Sequence, residues 1–453
     1  MNNIGTILHY EHFNNLTNWS VAGAISQSIS YNKEYKLVPI GQFLTRNRNV
    51  IDIDDETIYT QVTLKINNGG VVERGKKKGA EIGTKKQIVV RKGQFIFSKI
   101  DARNGAFGII PEELDGAIVT NDFPVFNIDE AIINPTFLLL ITTTNAFAKF
   151  SQSCSSGTTN RQRIDVDAFL QQRIPLPLLE EQKIIVRNFS DRINEANEKE
   201  KEIIKLKNNI TTWLCSSLGI TINNANCDRE KLLFVNYRTL TKWSIDEILK
   251  YERYSFKCAK YEVLKISNVI ELLEGGKTPS TKRADYWGND VYWVSAKDMK
   301  EDYLHNIKDK LSLKGVVETK MKIYPKGTLL GVFRSGILRH SFPICITDYP
   351  VAINQDLKAI IVNESKIQKE YFFYYLNSLQ DLVLNTAQKK GVTVESVDTE
   401  AFMEIPIVCP PEATQNSIID HISKEKKQIY SLQKEASKLR LQAITFFEKE
   451  MFE

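Results

Sequence analysis

The chain has 453 residues, 42% hydrophobic and 25% charged, which is ordinary globular composition and enough length for two to four domains. Lys+Arg 60 against Asp+Glu 55 leaves +5, too small an excess to name a partner. Six scattered cysteines (Cys154, Cys215, Cys227, Cys258, Cys345, Cys409) make no CxxC, against a zinc ribbon, a redox motif or a disulfide framework. No apolar run reaches the roughly 20 residues that span a bilayer, and Met1 to Ser30 has no signal-peptide pattern. A cytoplasmic protein with reduced thiols and no membrane contact is the expectation.

In chain order, Leu16-Thr17-Asn18-Trp19-Ser20-Val21 returns 224 residues later as Leu240-Thr241-Lys242-Trp243-Ser244-Ile245. Short runs rich in Val, Ile, Phe and Thr follow: Val38 to Leu44, Ile58 to Lys65, Gln87 to Val90, Phe95 to Ile100, Ile118 to Phe126 and Phe137 to Thr142. Gly-containing turns separate several of them, which predicts β-strands. Between Lys65 and Arg103 eleven Lys/Arg face three Asp/Glu, a local excess of +8. Arg74 to Gly79 and Lys85-Lys86 are expected on a glycine-flexed loop, and Gly157 to Arg163 is a second polar, basic loop.

Ile174-Pro175-Leu176-Pro177 marks an exit from this α+β region, because proline ends one element and fits the first turn of a helix. Beyond it Val186, Phe189, Ile193, Ala196, Ile203, Ile210 and Leu214 follow a heptad rhythm with charged flanks. Gly219 to Asn226 is polar and turn-rich and ends that helix.

The second copy repeats the scheme. Its expected strands are Glu262 to Ile270, Val291 to Ser295, Thr328 to Phe333, Pro350 to Ile353 and Leu357 to Val362, with a helical pattern over Glu370 to Asn385. Phe169, Pro177 and Gln182 return as Phe402, Pro410 and Gln415, 233 residues on. A second heptad seam runs through Ile418, Ile422, Ile429, Leu432, Ala436, Leu439, Ala443 and Phe446. A period this long is a duplicated domain with its connector, outside the roughly 20–50 residues of solenoid repeats. Each seam needs a cover, and the simplest is the other copy. Thirty-odd helical residues span about 50 Å.

Enzyme signatures are weak. Gly276-Lys277-Thr278 resembles the end of a phosphate loop, but position 271 is Glu, so a turn is the better reading. Asp356, Glu364 and Lys366 faintly match a metal-dependent nuclease. No Asn/Asp-Pro-Pro-aromatic tetrapeptide is present, and His9, His12, His305, His340 and His421 are dispersed, none pairing with Cys or carboxylates at ligand spacing.

Leu273-Glu274-Gly275-Gly276-Lys277-Thr278-Pro279-Ser280, with Tyr286 to Met299 after it, resembles the opening of a target-recognition domain. Pro175 to Gln182 and Pro410 to Gln415 resemble the starts of spacer helices. On these motifs the whole chain resembles the DNA-specificity subunit of type I restriction-modification enzymes. The first copy departs at Thr45-Arg46-Asn47-Arg48-Asn49, where Gly-Gly-x-Thr-Pro-Ser is missing.

The resemblance implies two target-recognition domains with twisted β-sheet cores, joined by two long antiparallel coiled-coil helices. The expected divisions are 1–178 (first domain), 179–218 (central spacer), 219–240 (connector), 241–410 (second domain) and 411–453 (C-terminal spacer). It implies a non-catalytic reader of a split, asymmetric double-stranded DNA target, without a cofactor of its own. Two methyltransferase subunits and the restriction/motor subunits would be its partners. Domains about one DNA turn apart, about 34 Å, could enter one groove from one face.

The candidate DNA contacts are Arg74, Lys76, Lys77, Lys78, Lys85, Lys86, Lys99, Arg103, Asn104, Asn160, Arg161 and Arg163 in the first copy. In the second they are Lys277, Thr278, Ser280, Lys282, Arg283, Lys297, Arg334, Arg339, Lys389 and Lys390. Lys389-Lys390-Gly391 aligns with Gly157. The coiled-coil candidates are Phe189, Ile193, Ala196, Ile203, Ile210, Ile422, Ile429, Leu432, Ala436 and Leu439. Two other readings are a nuclease and a coiled-coil protein scaffold.

Overall fold

The computed structural model describes residues 31–144, 147, 155–156, 163–223, 254–389, 391 and 394–452. The Leu16/Leu240 repeat, Asn160, Arg161 and Lys390 lie outside them. The chain forms two compact units, residues 1–198 with 435–453, and residues 199–434. Each unit therefore combines one sheet-rich domain with one half of each long helix.

Unit 1 contains β1 (Leu37–Pro39), β2 (Leu44–Arg46), β3 (Val50–Asp52), β4 (Ile58–Leu64), β5 (Val71–Lys78), β6 (Lys86–Val89), β7 (Phe95–Phe97), β8 (Phe107–Ile109), β9 (Ile118–Val119) and β10 (Val125–Ile128). Then come α1 (Pro135–Thr142), the hairpin β11 (Ser155–Ser156) and β12 (Arg163–Ile164), α2 (Val166–Gln171), β13 (Arg173–Pro175) and the start of α3 (Leu179–Leu218). An antiparallel sheet has the order β2-β10-β7-β8, and a second sheet the order β3-β6-β9-β4-β5.

Unit 2 contains β14 (Thr221–Ile222), β15 (Tyr254–Ser255), β16 (Glu262–Lys265), α4 (Ile266–Val269), β17 (Ile270–Gly275), β18 (Trp287–Val294), β19 (Tyr303–Leu304), β20 (Lys310–Leu311), α5 (Leu313–Glu318), β21 (Leu329–Val332), β22 (Ile344–Thr347), β23 (Val351–Ile353) and β24 (Leu357–Val362). After them come α6 (Lys369–Ser378), α7 (Gln380–Ala387), β25 (Gln388–Lys389), β26 (Ser396–Val397), α8 (Thr399–Met403), β27 (Pro406–Cys409) and α9 (Glu412–Phe452). Its main sheet, β17-β24-β21-β22-β19, repeats the four-stranded sheet of unit 1 and adds one strand. Its second sheet, β20-β18-β23, matches β5-β4-β9: each central strand runs parallel to one neighbour and antiparallel to the other. Unit 1 extends that sheet with β3 and β6, so here the two domains diverge most.

The repeat extends to single hydrogen bonds. Ile40 N–H donates to the Gln172 carbonyl as Ile266 N–H donates to Ile405, both at 2.9 Å. Asp165 caps α2 through the Asp167 and Ala168 N–H groups, and Asp398 caps α8 through Ala401. Each cap places a fully buried phenylalanine, Phe169 or Phe402, in its domain's aromatic core. Rings of Phe95, Phe97, Phe107, Phe126 and Phe147 surround Phe169 at 4.6–6.3 Å between centroids.

The recurring Gln182 and Gln415 are both buried. Gln182 Nε2 donates to the carbonyls of Pro177 (2.9 Å) and Ile132 (3.2 Å), while Oε1 accepts the N–H of Asn134 at 2.8 Å. Gln415 donates to Pro410 at 2.9 Å and accepts the N–H of Gln368 at 2.8 Å. Asn134 and Gln368 are the residues preceding α1 and α6. One amide thus ties the first turn of a long helix to its proline exit and to a domain helix. Gln415→Leu would leave a buried N–H and a buried carbonyl without partners, at a cost of about 2 kcal/mol or more. Denaturant unfolding followed in unit 2 should show it, and unchanged stability would contradict the clamp.

The long helices have 40 and 41 residues, longer than the heptad pattern suggested. They pair antiparallel within each unit. Phe189 meets Phe447 at 6.4 Å between centroids, Asn197 accepts from Arg440 Nη2 at 3.0 Å, and Trp213 stacks on His421 at 3.8 Å. Ala196, Ile203, Ile210, Ile422, Ile429 and Ala436 are buried, while Phe189, Ile193, Leu432 and Leu439 are half-buried. Lys426 fastens α9 to the second domain, donating to Asp302 (2.6 Å) and Asn377 (2.7 Å). Its burial lowers its pKa despite the carboxylate.

Several sequence expectations are corrected. Phe137 to Thr142 is helix, not strand, because Asn134 caps it and Pro135 occupies its first turn. Ile118 to Phe126 is two strands, β9 and β10, parted by a turn, and Val38 to Leu44 is parted by a 3₁₀ turn over Ile40–Gln42. Glu262 to Ile270 is interrupted by α4, and Glu370 to Asn385 is two helices that meet at Leu379. Arg74 to Lys78 lies in β5, not on a loop, and Lys86 lies in β6.

A candidate nucleic-acid interface

In both domains the same end of the main sheet gathers loops from distant parts of the chain. In unit 2 the segments after β17, after β21 and before β24 meet there, since Gly275 pairs with Lys358 and Val332 with Leu357. The Phe333 and Arg334 N–H groups both donate to the Asp356 carbonyl, and Val397 N–H donates to Phe333, which brings in the β25–β26 hairpin. Unit 1 repeats the pattern: Lys99 N–H donates to Asp122, Ile164 N–H to Lys99, and Asn47 N–H to Val125, all at 2.8–2.9 Å.

The Gly276-Lys277-Thr278 segment belongs to this end. Lys277 N–H donates to the Ile353 carbonyl at 2.9 Å, and the Thr278 hydroxyl bonds Gln355. A Cβ on Gly276 would lie 1.9 Å from the Ile353 oxygen, so only glycine lets the loop lie this close to β23. In unit 1 the segment that leaves β2 at this end is Asn47-Arg48-Asn49, held by Asn47 Nδ2 donating to the Val89 carbonyl at 3.0 Å.

The cations at this end are Lys99, Arg103 and Arg163 in unit 1 and Lys277, Arg334, Arg339 and Lys389 in unit 2, with Asn104 and Thr278 beside them. Arg46 and Arg48 lie here too, exposed and without an ion-pair partner among the described residues, although the sequence reading left them out. Their signal was the two arginines within Thr45–Asn49, a stretch noted only as lacking Gly-Gly-x-Thr-Pro-Ser. Lys99, Lys277 and Arg334 likewise have no ion pair among the described residues. Arg163 pairs with Asp122 at 3.2 Å, Lys389 with Asp398, and Arg339 with Glu395 at 2.6 Å. Those pairs raise the Lys389 pKa and lower those of Asp398 and Glu395, through hydrogen bonds to the opposite charge.

The other candidates lie elsewhere. Arg74, Lys76, Lys77 and Lys78 occupy β5, the edge strand of the second sheet, with Arg74 the extra residue of a bulge opposite Gln61 and Val62. Lysines on an edge strand also block edge-to-edge association. Lys78 pairs with Glu56 at 2.7 Å and Lys85 with Asp55 at 2.5 Å, while Lys86 sits opposite Asp52 in β6. In unit 2, Arg283 bonds Asp285 through two nitrogens at 2.7–2.8 Å and lies over the Tyr286 ring. Lys297 pairs with Asp309 at 2.6 Å. Ser280 and Lys282 are exposed on the loop before β18.

Catalytic geometry is lacking for the nuclease reading. Asp356 precedes the six residues of β24, whereas Glu364 and Lys366 follow them, roughly 20 Å away at strand rise. Lys366 Nζ is bonded to the Asn268 carbonyl at 2.9 Å. Among the described residues no helix is long and apolar enough to cross a membrane.

Fold and site define a chain with two versions of one sheet domain, each presenting a cationic cluster of loops, on helices that both units share. The model of the "Type I restriction modification DNA specificity domain" family matches residues 32–208 and 259–440, and the chain belongs to that family. It is 30% identical over 151 residues to the specificity subunit of the type I restriction enzyme EcoR124I/EcoR124II of Escherichia coli, a match covering 33% of this chain and 37% of that one. It is 29% identical over 224 residues to the MjaIX specificity subunit of Methanocaldococcus jannaschii, covering 46% and 48%. The chain thus spans less than half the length of these two relatives. A solved structure described as showing "complex assembly and conformational transition of the type I R-M system" shares the fold, with a TM-score of 0.52 at 15% identity, over 93% of this chain and 99% of that one.

Proposed function

We propose that this chain is the non-catalytic DNA-specificity subunit of a type I restriction-modification enzyme. It reads a split, asymmetric target in double-stranded DNA, one part with each domain, and directs two methyltransferase subunits and the restriction/motor subunits to it. Recognition belongs to residues 1–178 and 241–410, and the spacers to 179–218 and 411–453. The observation that carries the reading is the loop cluster repeated at one sheet end of both domains, built on equivalent backbone bonds but armed with different side chains. Arg46, Arg48 and Lys99 arm this sheet end in one domain, and Lys277, Thr278 and Arg334 arm it in the other. Cations there neutralise phosphates, and Arg, Asn and Thr are side chains that reach base edges. Equal scaffolds with unequal side chains suit two different half-sites. The protein would act in the cytoplasm, where its target is.

Selection from a duplex pool randomised over about 20 base pairs tests this. The full-length chain should enrich one motif in two separated parts, with binding that falls steeply as salt rises. Binding that is indifferent to sequence would contradict it.

A further inference from the structure

Beside the loop cluster of unit 2 lies a cavity of about 330 Å³, lined among others by Arg339, His340, Asn385, Gln388 and Glu395. Glu395 is 6% exposed. Its Oε1 accepts from Arg339 Nε at 2.6 Å, and its backbone carbonyl accepts the Ser335 N–H at 3.1 Å, so the residue is held through both side chain and main chain. Its Oε2 is shielded from solvent and has no hydrogen-bond partner among the described residues. A buried carboxylate oxygen left open is costly, and natural structures seldom leave one without a use. Gln388 is turned by its own bond to the Leu338 carbonyl at 2.6 Å.

Resting on the DNA-reading function above, we infer that Glu395 is a specificity-determining residue, its Oε2 accepting from the exocyclic amino group of an adenine or cytosine in the second domain's half-site. The chemistry selects that partner. Phosphate is repelled by a carboxylate, and the base donors of the major groove are adenine N6 and cytosine N4. Arg339 is a positioning residue, because it fixes the carboxylate and keeps it ionised. At the same 233-residue offset the first domain carries Gln162, a group of different hydrogen-bonding character, outside the described residues.

Glu395→Gln keeps the shape and adds a donor. In selection from the randomised duplex pool, wild type should prefer adenine or cytosine at one position of one half-site. The variant should lose that preference by roughly tenfold, towards guanine or thymine, and keep every other position. A second measurement does not depend on the glutamine variant folding. Wild-type chain is bound to duplexes in which each adenine or cytosine of that half-site is replaced in turn by an analogue without the amino group. One position should weaken roughly tenfold, and the effect should vanish in Glu395→Ala. An unchanged motif in Glu395→Gln, or no position whose amino group couples to Glu395, overturns the inference. Failure of wild type to select any motif overturns the DNA-reading function itself.

Discussion

Phe169→Ala is expected to destabilise unit 1 by about 3–5 kcal/mol, the usual cost of emptying a fully buried phenylalanine site. Five surrounding rings, all in the same core, cannot close the gap without moving the strands that carry them. The loss should be local. Two units need not unfold as one, so a single melting temperature is a poor measure and hydrogen exchange is a better one. Amides of β7 and β10 should exchange faster in Phe169→Ala, while β21 and β24 keep their protection. Phe402→Ala should give the mirror result, since Phe402 packs on Phe333 at 5.1 Å and Phe342 at 5.9 Å in the other core. Equal loss of protection in both units from either variant would contradict two separate aromatic cores.

The triple variant Arg46→Ala/Arg48→Ala/Lys99→Ala should weaken target binding by about 100-fold near physiological salt and flatten the log–log salt dependence by about 2.7, or 0.9 for each lost phosphate contact. Filter or fluorescence binding from low to moderate salt measures both. A matched variant on the edge strand, Arg74→Ala/Lys76→Ala/Lys77→Ala, should weaken every duplex alike and leave base preference intact. Lys78 and Lys85 are poor targets, since Glu56 and Asp55 already neutralise them. An effect confined to the edge-strand variant would move the reading surface to the second sheet.

The repeat was legible because buried groups with strict geometry cannot drift. Phe169 and Phe402, and Gln182 and Gln415, keep their spacing because each sits in the same hydrogen-bonded and packed frame. The long helices were legible from their apolar rhythm. Local pattern failed where one residue outweighed a run. Asn134 and Pro135 turn an apolar stretch with strand-like composition into α1, and short apolar runs do not distinguish the two states. The basic stretch at Arg74 drew attention by its density, yet charge density marks a solvated edge as readily as a site. Arg46 and Arg48 gave no such signal, because their place at this sheet end comes from the pairing of β2 with β10, a strand distant in sequence. Glu395 could not be picked out either, since an open, buried oxygen is a property of packing.

We propose above that two domains of one chain read two different parts of one DNA target. Methylome sequencing of cells that carry the chain, lack it, or carry the Arg46/Arg48/Lys99 variant tests it most directly. One bipartite, asymmetric methyladenine motif should disappear without the chain, and its sequence should degrade in only one half with the variant. A methylome unchanged by removing the chain, or a motif degraded equally in both halves, would contradict it.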